Sequence, residues 1–322
     1  MQTKDLLKSL TFALVGSALC ASVATAQSYP SKDIKIIVPF APGGAVDVTS
    51  RIIAEYANKH LDKVKIVVEN RAGGDGVVGQ TFAARAKPDG YTMLAMTSSV
   101  VTNPVLKETQ YKIEDFEAVA MYTDDPEVLI VPTDSPFKTV ADFIAEAKKR
   151  PISVTIAGIA TSHHLAGLAL EDSAGIKFNY LPTKGFGPQL QAVMGNHVES
   201  ALWSFGEGKK HVDAKSVRLL AVASDKRLEG FPDVPTWKEA GLNIPRWTTF
   251  RGWAVPKGSP KEAVAFLANL LEKVNKDEGY IARMTEYGYP VSYRDAAGYT
   301  EVVNDYADLA GRVIKKHNLK EQ

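Results

Sequence analysis

Residues 34–47 read Ile34-Lys35-Ile36-Ile37-Val38-Pro39-Phe40-Ala41-Pro42-Gly43-Gly44-Ala45-Val46-Asp47. The β-branched run up to Val38 suits a strand, and Pro39 ends its ladder. Pro42-Gly43-Gly44 then makes a tight turn, because glycine reaches positive φ without a Cβ clash. A helix is expected over about 47–60, with Asp47 as its capping residue. Val48, Ile52 and Tyr56 recur at i, i+4, i+8 and give it one apolar stripe. Strand, glycine loop, helix is the unit of a parallel α/β sheet.

Working outward, the unit recurs. Lys65–Glu69 reads as a strand, followed by a glycine-rich segment and a helix through 82–86, then the Pro88-Asp89-Gly90 turn. Tyr91–Met96 is a strand ending at Thr97-Ser98-Ser99. Further strands are expected at 127–131, 153–157, 178–181, 218–223 and 252–256. Helices are expected from a capping box at 139–142, from 163 to about Ala174 with Gly175 as the terminating glycine, over 188–194, and at 261–275, 277–288 and 297–316. Strand-to-helix loops at 40–47, 70–80, 158–163 and 182–188 fall into two groups, one in each half. Ligands of open parallel sheets bind beyond the carboxyl ends of the strands, and helix N-termini there favour anions. The expected architecture is therefore α/β with two lobes. Each is a mixed, mostly parallel sheet flanked by helices, with a cleft between them.

Composition narrows the function. The 322 residues carry net charge +1, with 45% apolar and 23% charged residues, which fits an ordinary globular chain of about two domains. A nucleic-acid binder would need clustered basic residues. Residues 1–26 have Lys4 and Lys8, an uncharged stretch from Ser9 to Val23, and Ala24-Thr25-Ala26, the pattern of a cleaved secretory signal. Cleavage after Ala26 leaves 296 residues, with 36 basic and 36 acidic side chains and no cysteine, since Cys20 departs. The expected location is the periplasm, with no disulfide to support the fold.

Several motifs carry competing readings. The Pro42–Asp47 loop is either an anion cradle on the N–H groups of 43–45 or an ordinary βα turn. Gly74-Asp75-Gly76-Val77-Val78-Gly79 matches G-x-G-x-x-G. A dinucleotide site also needs an acidic residue ending the next strand, and that strand ends in Thr97-Ser98-Ser99. Adjacent His163-His164 point about 100° apart on a helix and rarely share an ion. Ser135-Pro136-Phe137-Lys138 lacks the companions of a serine acylase. Asp124-Asp125 and Glu171-Asp172 read as surface or helix charges. Trp203, Phe205, Trp247, Phe250 and Trp253 read as core or pocket lining. No catalytic set, metal site or cofactor is expected.

Taken together, Tyr29-Pro30, Pro39-Phe40-Ala41-Pro42-Gly43-Gly44, Asp47 and Arg51 resemble the opening of tripartite tricarboxylate transporter receptors, the Bug family. Val67-Val68-Glu69-Asn70-Arg71, Pro88-Asp89-Gly90-Tyr91-Thr92, Asp134-Ser135-Pro136, Lys184-Gly185, Asp233-Val234-Pro235-Thr236 and Ala254-Val255-Pro256 continue it in order. The resemblance implies a periplasmic flytrap receptor that holds a small carboxylate and delivers it to membrane permease subunits. It implies a monomer that binds no nucleic acid. Lobe 1 would comprise 27–125 and 246–322, and lobe 2 would comprise 126–245, with crossings near 122–130 and 236–252. The first-lobe candidates for ligand contact are Phe40, Pro42, Gly43, Gly44, Ala45, Asp47, Gly76, Thr97, Ser98 and Ser99. In the second lobe they are Gly158, Ala160, Thr161, Ser162, His163, Lys184, Gly185, Phe186 and Ser204. Ala45 and Val46 depart from the family's third glycine and hydroxyl, Asp75 replaces a small residue, and Trp203 and Phe205 are bulkier than expected. A sensor receptor and an exported hydrolase are the alternatives.

Overall fold

The computed structural model describes residues 29–319 except 160, 184 and 245. The leader 1–26 with Cys20, Ala160 and Lys184 lie outside the described residues. The first βα units are β1 (Ile34–Val38) with α1 (Ala45–Asn58), β2 (Ile66–Asn70) with α2 (Val77–Ala84), and β3 (Thr92–Thr97) with α3 (Ser99–Leu106). β1 lies between β2 and β3, parallel to both, with Ile36 opposite Val68 and Met93. The second half holds α4 (Val140–Ala147), β5 (Ile152–Ile156), α5 (Ser162–Ala174), β6 (Phe178–Pro182), α6 (Phe186–Met194), β7 (Ser200–Ser204), α7 (Phe205–Asp213) and β8 (Val217–Val222). There β5 is parallel to both β6 and β7.

Two strands join the halves. β4 (Phe116–Pro132) runs for 17 residues and is antiparallel to β9 (Thr248–Pro256) along 116–126 and to β7 and β8 beyond that. The strand order is β2-β1-β3-β9-β4-β7-β5-β6, with β8 and β10 (Val291–Arg294) also pairing with β4. α8 (Lys261–Asn275), α9 (Glu278–Glu286) and α10 (Ala296–Lys316) complete the chain.

Alternation along the strands sorts the core into layers. Ile34, Ile36 and Val38 point to the face covered by α1, α8 and α9, together with Tyr122 and Trp253. Ile37, Leu94 and Met96 point to the other face, whose apolar layer continues without a break into Leu129, Val131, Phe143 and Leu165 of the second half. α10 lies over this continuous layer and packs on both α3 and α5. Val128, Ile130 and Trp203 form a third layer beneath α6 and α7.

The structure revises several local expectations. α1 begins at Ala45 with Gly44 as N-cap, so Asp47 sits inside the first turn instead of capping it. The expected strand at 127–131 is the last third of β4, and α3, β7, α7 and β10 were not foreseen. Asp124 and Asp125 are 9% and 0% exposed and lie in β4, so they are buried strand groups, not surface or helix charges, whereas Glu171 is a helix charge of α5, buried at 3%. Trp203, Phe205, Trp247, Phe250 and Trp253 all belong to the core. Gly208 makes room for Trp203: a Cβ there would collide with the indole nitrogen.

Candidate functional site

The register brings the strand ends together. β3 ends at Thr97, opposite Arg251 of β9, which in turn faces Thr123 of β4. β7 runs the other way and ends at Ser204, opposite Glu127 of β4. The carboxyl ends of the two half-sheets thus approach each other over residues 123–127, about 13 Å of strand. The loops after β1 and β3 come from one side, and those after β5, β6 and β7 come from the other.

Each loop opens a helix. Gly44 and Ser98 give α1 and α3 no side-chain cap, and neither do Gly185 for α6 or Ser204 for α7. The first intrahelical bond of α1 is from Val48 N–H to Gly44 O, at 2.9 Å. The N–H groups of Ala45, Val46 and Asp47 therefore have no acceptor within the helix. In α5, Thr161 Oγ1 accepts from His164 N–H, which leaves the N–H groups of Ser162 and His163 without an intrahelical acceptor. Helix starts with free N–H groups thus follow strand ends in both halves, an arrangement suited to an anion.

Side chains brace these loops. Gly43 holds φ at +85°, and its N–H donates to Asp47 Oδ2 at 2.9 Å. That N–H is therefore committed inside the loop. Asn70 Nδ2 donates to Asp47 Oδ1 and to Phe40 O, and Arg51 Nη2 donates to Asn70 Oδ1. Burial alone would raise the Asp47 carboxyl, but Arg51, the Gly43 N–H and Asn70 hold it below the usual carboxylate range. Gly76 packs under Phe40, where a Cβ would lie 3.2 Å from the ring. In the second half, Thr183 Oγ1 donates to Ile156 O and Gly185 O, and Gly185 N–H donates to Ala157 O. Thr161 Oγ1 donates to Gly158 O at 2.8 Å. The Phe186 ring stands edge-on to Trp203, 5.2 Å away. Of the named candidates, Pro42, Gly43 and Gly44 are exposed, whereas Thr97, Ser98, Ser162, His163 and Ser204 are buried.

Beneath the loops lies a charged cluster that sequence reasoning missed. Glu127 is fully buried. Its Oε1 accepts from Ser162 Oγ and Thr249 Oγ1, each at 2.9 Å, and its Oε2 is 2.6 Å from His163 Nδ1. Trp247 Nε1 donates to Ser162 Oγ at 3.2 Å, and Ser204 Oγ donates to Thr249 Oγ1 at 3.3 Å. His163 Nε2 is 3.6 Å from Glu207. Asp125, also fully buried, accepts from Gly206 N–H at the start of α7 and from Arg251 Nη1. The His163 ring is thus engaged by two carboxylate neighbours, and its N–H lies at the helix start. Among the described residues no group of three His, Cys, Asp or Glu is placed to hold a metal.

The cluster titrates unusually. Burial alone would lower His163, but the Glu127 carboxylate and the charge of Glu207 raise it to about 9. Burial pushes Asp125 up to about 7 against the pull of Arg251, and pushes Glu207 upward too. A histidine raised in the folded state stabilises fully below its unfolded value and loses that contribution as pH rises through the folded one. The chemical-denaturation midpoint should therefore fall between about pH 6.5 and 9. His163→Gln should flatten that window, and an unchanged slope in the variant would refute the pairing. His164 is held down to about 4 by burial, so its transition lies below the window.

A sequence model described as the tripartite tricarboxylate transporter family receptor matches residues 49–319. The chain belongs to this family. Its members are periplasmic solute-binding receptors, not enzymes, and the mixed α/β two-lobe fold agrees with them. The receptor is 30% identical to the protein BugT of Bordetella pertussis over 282 residues, 85% of this chain and 86% of that one. A solute-binding protein of this family from Polaromonas superposes with TM-score 0.76 at 32% identity, covering 90% of this chain and all of the other. MatC from Rhodopseudomonas palustris, solved with bound malate, superposes with TM-score 0.76 at 26% identity, covering 88% of this chain and all of that one. No helix among the described residues of the receptor is long and apolar enough to cross a membrane.

Proposed function

We propose that this receptor captures a small di-, tri- or aromatic carboxylate between its two lobes and delivers it to the membrane subunits of a tripartite transporter. The observation that carries the reading is that α1, α3 and α5, which follow the carboxyl ends of β1, β3 and β5, begin with N–H groups that have no intrahelical acceptor. Backbone N–H groups hold the ligand's oxygens, and Phe40 and Phe186 border its carbon skeleton. Lobe 1 comprises 27–125 with 246–322, and lobe 2 comprises 126–245, so that β4 and the segment leading into β9 act as hinges. The chain is exported, processed after Ala26, and works as a monomer. The malate in MatC is of the same chemical class.

The test is thermal unfolding of the processed protein against malate, succinate, citrate and benzoate, each beside its amide. A ligand of the folded state at 100 times Kd adds about 2.7 kcal/mol of stability. The midpoint should rise with at least one carboxylate and stay fixed with its amide. A rise with neither would overturn the carboxylate reading.

A further inference from the structure

Arg251, near the strand ends, is a buried cation with an unmade hydrogen bond. It is 2% exposed, and its neighbours use only part of its donor fork. Nη1 donates to Asp125 Oδ2 at 3.2 Å, and the guanidinium lies 5.5 Å from the Tyr289 ring. Nε is buried without a hydrogen-bond partner. Directly across the ladder on β3, the Thr97 hydroxyl is also buried without a partner. Opposed residues of an antiparallel pair point to the same face. That face carries Ala95, Trp253 and Tyr122, beneath α1. Thr97 is also the last residue of β3, immediately before Ser98 and the uncapped start of α3.

A buried guanidinium with an unmade bond is costly unless something completes it. Its planar fork matches the two oxygens of a carboxylate. We infer that Arg251 is a ligand-binding residue, whose free Nε edge takes one carboxylate of the ligand with the Thr97 hydroxyl donating to the same group. This deepens the carboxylate-receptor reading and rests on it. The helix starts then hold the far end, which favours ligands with two separated carboxylates over monoacids.

The surrounding charges leave room for such an anion. Glu127 is matched by His163. Asp125 and Glu207, the acids nearest Arg251, are both pushed towards protonation by burial. Tyr122 and Tyr289, which also face the guanidinium, are raised by burial and stay neutral. The Glu207 side chain is 14% exposed, so the cluster is not sealed from solvent.

Two variants separate this role from a structural one. Arg251→Lys keeps a cation beside Asp125 but loses the fork. Thr97→Val keeps the shape and removes a hydroxyl that the protein itself does not use. Calorimetric titration with malate, succinate, citrate and benzoate should find at least one that binds the unaltered protein. For that probe, Arg251→Lys should weaken binding at least tenfold and Thr97→Val about fivefold. The Thr97→Val melting midpoint without ligand should not fall. Unchanged affinity in both variants would overturn the assignment and leave the receptor reading intact. Should none of the four bind the unaltered protein, the carboxylate reading falls, and this assignment with it. If Arg251→Lys does not fold, Thr97→Val decides alone: unchanged affinity there overturns the assignment.

Discussion

Glu127→Ala should cost about 3–5 kcal/mol of folding stability, the usual range for breaking a buried ion pair by removing one partner. The carboxylate accepts from Ser162 and Thr249 and pairs with His163, so α5 and β9 both lose their common acceptor on β4. The His163 imidazole, 7% exposed, would be left beside Glu207 alone. Glu127→Gln preserves acceptors for the two hydroxyls and should cost less. Urea unfolding at neutral pH measures both. A loss below about 1 kcal/mol for the alanine variant would show that the cluster does not tie the crossing strands together, because that is the worth of an exposed pair.

Trp247→Ala should be comparably severe, about 3–5 kcal/mol for truncating a buried tryptophan. Trp247 is fully buried where the chain returns towards the first half. Its backbone N–H donates to Ala223 O, and its carbonyl accepts from Glu127 N–H. Its ring meets Tyr306 of α10 edge-on at 6.1 Å, and Phe250 meets the same tyrosine at 5.5 Å. Deleting the ring opens a cavity between the crossing strands and the helix that spans both halves. It also strips Ser162 of a donor. Trp247→Phe refills most of that volume and should recover more than half of the loss. Equal losses for the two variants would place the energy in the indole hydrogen bond instead of the packing.

The local units were legible because they follow from short-range chemistry. The β1–α1 turn was read from Pro42-Gly43-Gly44, the Thr139–Asp142 capping box from its spacing, and the end of α5 from Gly175, whose φ is +65°. What stayed hidden is long-range. β4 was truncated to begin at Glu127 because Asp124-Asp125 reads as surface or helix charge, whereas these acids and Glu127 are buried and held by Arg246, Arg251 and His163. A central buried strand reads as a nearly continuous apolar run. The flanking Phe116–Tyr122 and Val128–Val131 segments would have shown one strand had the acids been set aside. α3 was obscured by Pro104 within it. The Glu127–His163 contact joins residues 36 apart in sequence, and no local pattern announces it. The strand-to-helix loops that carry the candidate residues were legible because their chemistry is local, while Arg251 and Glu127 became visible only through strand register.

The central claim is that backbone N–H groups at helix starts hold the ligand. The most direct measurement is an amide-resolved NMR titration of the isotopically labelled, processed protein with malate, repeated with malamide. The account predicts that malate shifts the amides of Ala45 and Val46, of Ser99 and Val100, and of Ser162 and His163 together, and that malamide leaves them in place. Malate shifts confined to residues outside these three helix starts, or equal shifts with malamide, would contradict it.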